Sequence, residues 1–259
     1  MTDFAELADR GWPGLETVAV QGWVARFAGG VTKRANSVWP RTEAVDAVAA
    51  VIEVESLYRQ RGIRPAFQLT RSQAQLEALL RGRGYEAVDE TLVMSARVEG
   101  RGAAFGVDLG GALRVTDAPD EGWLDLWWSI DGRGGGDERE VARRIMTSGP
   151  ALYAAVRDEA GPACVGRLAL VDGWGGLYAI VTRTDARRRG HARALVSGLT
   201  EAALEREIGR VWLQVLAGNS AALGLYRSLG FSTVGEYRYL VAPDAAPPST
   251  GPRATDATR

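Results

Sequence analysis

The chain has 259 residues, of which 46% are hydrophobic and 24% charged, and this composition predicts a packed globular protein of one or two domains. The formal net charge of −1 argues against a protein that binds nucleic acid mainly through phosphates. A single cysteine, Cys164, excludes an intramolecular disulfide, and together with a single histidine, His191, it excludes a zinc site of Cys and His ligands. Because no apolar run approaches the roughly 18 residues that span a bilayer and no signal-peptide pattern is present, we expect a cytoplasmic protein with no membrane partner.

Apolar periodicity in the first part of the chain predicts four strands and two helices. In chain order they are a strand over 22–28, a strand over 34–39, a helix over 43–61, a strand over 65–70, a helix over 73–82 and a strand over 85–96. The first helix has Val45, Val48 and Ile52 on one face and ends at Gly62. Ser72 is the expected N-cap of the second helix.

A Gly-rich stretch over 97–111 lacks a clear period and predicts a boundary in the chain. The elements expected after it are a strand over 112–117, helices over 118–129 and 137–147, strands over 150–157, 162–171 and 175–182, a helix over 190–207, a strand over 211–216, a helix over 219–229 and a strand over 231–242. The remaining residues are rich in Pro, Ala, Ser and Thr, which predicts disorder. The expected domains are therefore 1–97 and 112–242, with a linker over 98–111 and a disordered tail over 243–259.

The two parts of the chain resemble each other when they are aligned without gaps at a distance of 146 residues. Eight of 33 positions are identical: Arg64 with Arg210, Gln68 with Gln214, Leu79 with Leu225, Arg81 with Arg227, Gly84 with Gly230, Val88 with Val234, Glu90 with Glu236 and Ala96 with Ala242. The predicted order of helix, strand, helix and strand also agrees. We infer two copies of one α/β unit, the first of which is shortened at its N-terminus.

The stretch RRRGHARALV, residues 187–196, begins one of the predicted helices. A helix N-terminus exposes unpaired N–H groups, and a glycine before it lets a ligand approach the backbone, so this stretch predicts an anion site. Neither the P-loop pattern nor the Rossmann glycine pattern is present. An ordinary Arg-rich helix start is the alternative interpretation.

A second motif, NSAALGLYRSLGF, occupies residues 219–231 after a predicted strand. Together with the R-x-x-G-x-A pattern of Arg187, Gly190 and Ala192, it resembles the paired signatures of the GCN5-related N-acetyltransferases (GNAT). The resemblance covers 112–242 well and 22–96 only as a degenerate copy. It implies an α/β (α+β) fold of two tandem GNAT-like units, in which helices flank a mixed central sheet.

The resemblance implies acetyl-CoA as cosubstrate, no metal, and transfer of the acetyl group to an amine. Tyr226 is the expected acid that protonates the leaving thiolate. The expected cofactor-binding residues are Ile180, Val181 and Thr182 along the pantetheine arm, Arg187, Arg188, Arg189, Gly190, His191 and Ala192 around the pyrophosphate, and Asn219 and Tyr226 on the next helix. Thr182 and Thr184 stand where family members often have Val-x-Pro, so the entry to the loop departs from the family pattern.

The N-terminal copy lacks these residues. At the distance of 146 residues, Ala44 replaces Gly190, Asp46 replaces Ala192, and Leu80 replaces Tyr226. A carboxylate at position 46 repels a pyrophosphate. We therefore expect this half to bind no CoA and to support the active half or shape its acceptor pocket.

The acceptor is expected to be a small-molecule amine. Residues 22–40 resemble an actinobacterial group of tandem acetyltransferases, some of which are described as N-acetylglutamate synthases. An amino-acid acceptor needs a cation for its carboxylate, and Arg34, Arg167 and Arg183 are the candidates. The alternatives are a non-catalytic module that binds or senses an acyl-CoA, and a protein-lysine acetyltransferase. We expect no nucleic-acid partner, and the sequence leaves open whether the chain forms a homodimer.

Overall fold

The computed structural model describes residues 2–98 and 112–243, so all but the edge residues of the predicted linker and tail lie outside the described residues. The elements of the first part are α1 (Phe4–Gly11), β1 (Glu16–Val20), β2 (Trp23–Phe27), β3 (Val38–Pro40), α2 (Ala47–Gln60), β4 (Ala66–Leu69), α3 (Ala74–Gly82) and β5 (Glu86–Arg97). Those of the second part are β6 (Leu113–Thr116), α4 (Glu121–Asp131), α5 (Gly136–Met146), β7 (Ala151–Asp158), β8 (Gly161–Val171), β9 (Trp174–Thr182), α6 (His191–Leu204), β10 (Arg210–Leu216), α7 (Ser220–Ser228) and β11 (Ser232–Val241). None of the described helices is long and apolar enough to span a bilayer.

All eleven strands of the described chain form one mixed sheet, in the order β1-β2-β3-β4-β11-β5-β10-β9-β8-β7-β6. Each part of the chain gives its last strand to the other part. Strand β11 lies between β4 and β5, and β5 lies between β11 and β10, with antiparallel pairing throughout. The centre of the sheet is therefore built from exchanged strands.

The sheet is nearly symmetric about the contact between β5 and β11. Strand β4 pairs with β11 as β10 pairs with β5, and β3 runs parallel to β4 as β9 runs parallel to β10. This symmetry confirms the predicted mixed α/β fold of two related units. The helices α2 and α6 both span 14 residues and begin at residues 47 and 191, so 144 positions separate them rather than 146. The counterpart of Gly190 is therefore Asp46.

Helices cover both faces of the sheet. On one face, α6 buries Leu195, Val196 and Leu199 against β8 and β10, and α2 and α3 cover the N-terminal strands. On the other face, α1, α4 and α5 pack in an aromatic core that contains Trp127 and Trp212. Because side chains alternate along a strand, β10 sends Leu213 to the first face and Trp212 to the second.

Three details of the predicted N-terminal part are wrong, and one of them is the strand expected over 34–39, because β3 covers only Val38–Pro40 and residues 34–37 lie in the loop before it. The apolar stripe that helix α2 buries contains Val51, Val54 and Tyr58. The predicted stripe of Val45, Val48 and Ile52 is exposed. The Tyr58 ring adds a large apolar area to the buried stripe, and its hydroxyl donates to the Arg26 carbonyl (3.0 Å).

Ser72 is not the N-cap of α3, because a 3-10 turn over Arg71–Gln73 precedes the helix and Gln73 takes the N-cap position. The short α1 and the edge strand β1 have too few residues to give a clear period, and both are absent from the predicted elements.

Candidate active site

The loop before α6 has the backbone geometry of an anion site. Gly190 is the N-cap of α6 with φ +84°, a conformation that glycine adopts without strain, and nothing lies within 4 Å of the position a Cβ would occupy there. No side chain of the described residues caps the helix here, so within this part of the chain the first N–H groups of α6 have no capping partner.

The three arginines of the loop are exposed, and none forms an ion pair with a described residue. Arg187 donates from Nε to the Thr182 carbonyl (3.4 Å), which connects the loop to the end of β9. Cations at a helix N-terminus oppose the helix dipole unless an anion is bound between them. The loop therefore has both the open backbone and the uncompensated charge that a pyrophosphate requires.

A gap in the sheet lies beside this loop. Strands β9 and β10 pair only from Gly175 with Val211 to Leu177 with Leu213, although β9 continues to Thr182 and β10 to Leu216. Ala179 has φ +52°, and the register between β8 and β9 shifts at this bulge. The β9 backbone that carries Ile180, Val181 and Thr182 thus has no β10 partner on its open edge, as needed to pair with the amides of a pantetheine arm.

Helix α7 brings Tyr226 to the same region. Asn219 caps the helix, because its Oδ1 accepts from the Ala222 N–H (3.1 Å). Tyr226 is 8% exposed and lies near the Cys164 thiol of β8, and the Thr182 hydroxyl lies 3.2 Å from the same sulfur. Cys164 therefore lies between the end of β9 and the predicted catalytic tyrosine.

Burial sets the ionisation of this group of side chains. Burial raises the pKa of Tyr226 to about 12, and the neighbouring Cys164 adds a smaller contribution in the same direction. Burial also raises the pKa of Cys164 to about 11, although the hydrogen bond with Thr182 opposes the shift. At neutral pH both groups keep their protons, so Tyr226 is suited to act as an acid and Cys164 is a poor nucleophile.

His191 is the first residue of α6, and its Nδ1 is buried without a hydrogen-bond partner among the described residues. It lies near Asp158, whose pKa is lowered mainly by the hydrogen bond from Arg183. The position is next to the open backbone of the loop. His191 therefore stays a predicted cofactor-binding residue.

The three candidate arginines for an acceptor carboxylate lie in different environments. Arg183 is paired with Asp158 (2.7 Å) and Asp185 (2.6 Å). Arg167 is 1% exposed and donates to the Gly11 carbonyl (2.7 Å). Arg34 lies on the face opposite Tyr226, over the Tyr178 ring (5.6 Å to its centroid), and forms no ion pair with a described residue.

Two residues beside the gap are absent from the predicted site, namely Tyr178 and Gln214. Tyr178 follows the last paired residue of β9, and Gln214 follows the last paired residue of β10. The Gln214 Oε1 is buried and has no hydrogen-bond partner within residues 2–98 and 112–243. A polar residue inside the apolar strand VWLQVL was the available signal for it.

Comparison with known proteins agrees with this geometry. Residues 4–240 match the family described as "Probable histone acetyltransferase Rv0428c C-terminal". The "Uncharacterized N-acetyltransferase YobR" of Bacillus subtilis (strain 168) is 27% identical over 238 residues, which are 91% of this chain and 96% of the relative.

Two solved structures share the fold. One is a GCN5-related N-acetyltransferase from Kribbella flavida, with a TM-score of 0.67 and 15% sequence identity. The match covers 95% of this chain and 97% of the Kribbella chain. A tandem GNAT protein from the clavulanic acid biosynthesis pathway has a TM-score of 0.59 and 12% identity over 95% of this chain and 90% of its own. The kinship with an actinobacterial tandem group stays a prediction. The chain belongs to the family whose model covers residues 4–240, and it is an N-acetyltransferase of the GNAT type.

Proposed function

We propose that this enzyme transfers the acetyl group of acetyl-CoA to the primary amine of a small molecule, with an amino acid such as glutamate as the first acceptor to test. The observation that carries the proposal is the gap between β9 and β10, which adjoins the Gly190 loop through Arg187 and adjoins Tyr226 through Cys164. A cosubstrate with a polyphosphate at one end and a thioester at the other matches this arrangement.

Each part of the site has a defined role in the proposal. The first N–H groups of α6 and Arg187, Arg188 and Arg189 bind the pyrophosphate. The open edge of β9 holds the pantetheine amides, and Asn219 contacts the same arm. The acceptor amine must lose a proton before it attacks the carbonyl, and the Tyr226 hydroxyl then supplies a proton to the departing sulfur.

The N-terminal half has no second CoA site in this proposal. Asp46 occupies the position that corresponds to Gly190, and its Oδ1 accepts from the Ala49 N–H (3.0 Å). The helix N-terminus that an anion would need is therefore already capped by a carboxylate.

A protein lysine is the second candidate acceptor. The family description names a histone acetyltransferase, and this is the observation that favours it. A lysine peptide can react only if a polypeptide has an open path to the gap. An amino acid requires only a small cavity with a cation that binds its carboxylate.

The test is thiol release from acetyl-CoA with a panel of amino acids, polyamines, aminoglycosides and a lysine peptide. We expect turnover with an amino acid. If the lysine peptide is the only acceptor that causes turnover, a protein lysine replaces the small-molecule amine as the proposed acceptor. Saturable binding of acetyl-CoA without any turnover would favour a module that senses acyl-CoA.

The Gly190→Glu variant is the control for the phosphate site. A glutamate there must adopt a positive φ and brings a carboxylate to the phosphate position, so we expect acetyl-CoA to bind at least about tenfold more weakly by calorimetry. Gly224→Glu is the matched control, because Gly224 lies on α7 with nothing within 4 Å of its Cβ position.

A further inference from the structure

Buried polar atoms without a hydrogen-bond partner are concentrated on one face of the sheet. Among the buried polar atoms that have no hydrogen-bond partner in the described residues, four lie on the face opposite Tyr226: Arg34 Nε, Trp127 Nε1, Arg167 Nε and Gln214 Oε1. A buried polar group without a partner is destabilising, so each one calls for an explanation. Four such atoms on one face, two of them on guanidinium groups, favour a polar ligand there.

The charge on this face identifies the kind of ligand. Arg34 and Arg167 both lie over the ring of Tyr178, at 5.6 and 5.8 Å from its centroid. Neither has a carboxylate within ion-pair distance among residues 2–98 and 112–243. The neighbouring cations do have such partners, because Arg26 is paired with Asp9 (3.0 Å) and Lys33 with Asp89 (2.7 Å). Two guanidinium groups without a counterion among the described residues, one half-buried and one fully buried, are suited to bind an anion.

The cluster lies at the gap in the sheet. Tyr178 and Gln214 are the first residues of β9 and β10 after the last pair between these strands. Cys164 and Tyr226 belong to the core on the other face. The Tyr178 ring under the two arginines therefore lies beside the opening between the strands, with the predicted thioester site on the other face of the sheet.

Of the two arginines, Arg34 is the one that a ligand can reach, because it is only half-buried. Arg167 is 1% exposed and already donates to the Gly11 carbonyl. Arg34 lies in the loop between β2 and β3, where it shares a side-chain hydrogen bond with Tyr237 and lies near Tyr239, while its Nε has no partner among the described residues. A guanidinium group presents paired donors that match a carboxylate.

The loop that carries Arg34 is fixed in place. The Asn36 Oδ1 accepts from the N–H groups of Ala28 (2.7 Å) and Gly30 (2.9 Å), and its Nδ2 donates to the carbonyls of Val31 (2.6 Å) and Thr32 (2.9 Å). Gly29 of the same loop lies against Val141 of α5. The N-terminal half therefore presents Arg34 rigidly to the second half.

We propose that Arg34 binds the carboxylate of an acceptor that carries both a carboxylate and an amine, and that Arg167 adds to the positive field around it. This inference rests on the proposed transferase function and names its substrate class. It gives the N-terminal half, which lacks a CoA site, a role in choosing the acceptor.

The test compares each of the twenty amino acids with its primary amide on the CoA-saturated full chain. Tryptophan fluorescence reports binding, because Trp12, Trp127 and Trp212 lie in the core around Tyr178. Thiol release from acetyl-CoA reports turnover. In the wild type we expect one amino acid to bind at least about tenfold more tightly than its amide, the effect of one charge-assisted pair.

The Arg34→Gln variant should lose that preference, because it should bind the amino acid more weakly and the amide with unchanged affinity. Its affinity for acetyl-CoA should stay intact. Arg34→Lys should retain part of the preference, because it keeps the charge and loses the paired donors. Arg71→Gln, at an exposed arginine paired with Glu236, is the matched control and should change nothing. If the Arg34 variants do not fold, equal binding of acid and amide by the wild type still overturns the inference.

The outcomes separate this inference from the proposed function. Turnover of amides or polyamines as readily as of amino acids would overturn the role of Arg34 and leave the transferase standing. An amino acid could bind in an Arg34-dependent way and yet cause no thiol release. This result would support the carboxylate site and overturn the transfer of the acetyl group to that acceptor. If no carboxylated amine binds, the inference is wrong.

Discussion

The Tyr226 hydroxyl is buried, and its pKa of about 12 lies above the ordinary value of 10. Because the shift is upward, the protonated form that donates to sulfur persists through neutral and moderately alkaline pH. We expect no loss of kcat from this group below about pH 10, and a decrease of about 10²-fold or more in Tyr226→Phe. Stopped-flow thiol release across pH measures both. An unchanged kcat in Tyr226→Phe, with acetyl-CoA bound normally, would end the acid assignment.

The Cys164 thiol is fully buried, with a pKa raised to about 11. Since the thiolate is the reactive form, we expect iodoacetamide at pH 8 to label the native protein far more slowly than the urea-unfolded chain. Mass spectrometry of both samples gives the two rates. Equal rates would mean that the core around Tyr226 opens readily.

Individual residues of the site differ in how far the sequence could predict them. Gly190 and Tyr226 belong to local motifs; the structure gives Gly190 a positive φ and buries the Tyr226 side chain, and their roles stay predictions. Arg34 and Gln214 stand out because each has a buried polar atom without a hydrogen-bond partner among the described residues. No local sequence pattern contains that information. The choice among Arg34, Arg167 and Arg183 likewise required the ion pairs of Arg183 to be seen.

At the scale of elements, the loop between β2 and β3 depends on Asn36. Replacement by alanine leaves the buried N–H of Ala28 and several carbonyls without partners, so we expect Asn36→Ala to lower the free energy of unfolding by about 2–3 kcal/mol. Gln75→Ala, at an exposed position of α3, should stay within about 0.5 kcal/mol. Urea titration compares the two variants, and similar midpoints would show that the loop is not held by Asn36.

Periodicity predicted most elements correctly because strands such as β7, β8 and β9 and helices such as α6 bury long regular faces. It failed for α2, where two apolar stripes compete and the stripe that contains Tyr58 is buried. Periodicity also specifies no strand partner. The long strands β5 and β11 were predicted from their own residues, but their exchange follows only from three-dimensional pairing.

At the scale of the whole molecule, the exchange makes the two parts of the chain depend on each other. In an isolated piece of residues 1–98, β5 would lose both of its neighbours and β4 would lose β11. Met94, which is fully buried, would become exposed. The division at residues 97 and 112 stays a prediction about evolutionary units and does not imply that either unit folds alone.

We therefore expect residues 1–98 and residues 112–259, expressed separately, to show no cooperative unfolding, since each lacks a central strand of the sheet. Expressed together, the two pieces should copurify and bind acetyl-CoA, because β5 and β11 can pair between chains as they do within one. Circular dichroism with urea titration tests the single pieces, and calorimetry tests the complex. Cooperative unfolding of the second piece alone, with acetyl-CoA bound at full affinity, would show that the exchanged strand is dispensable and that the N-terminal half does not support the CoA site.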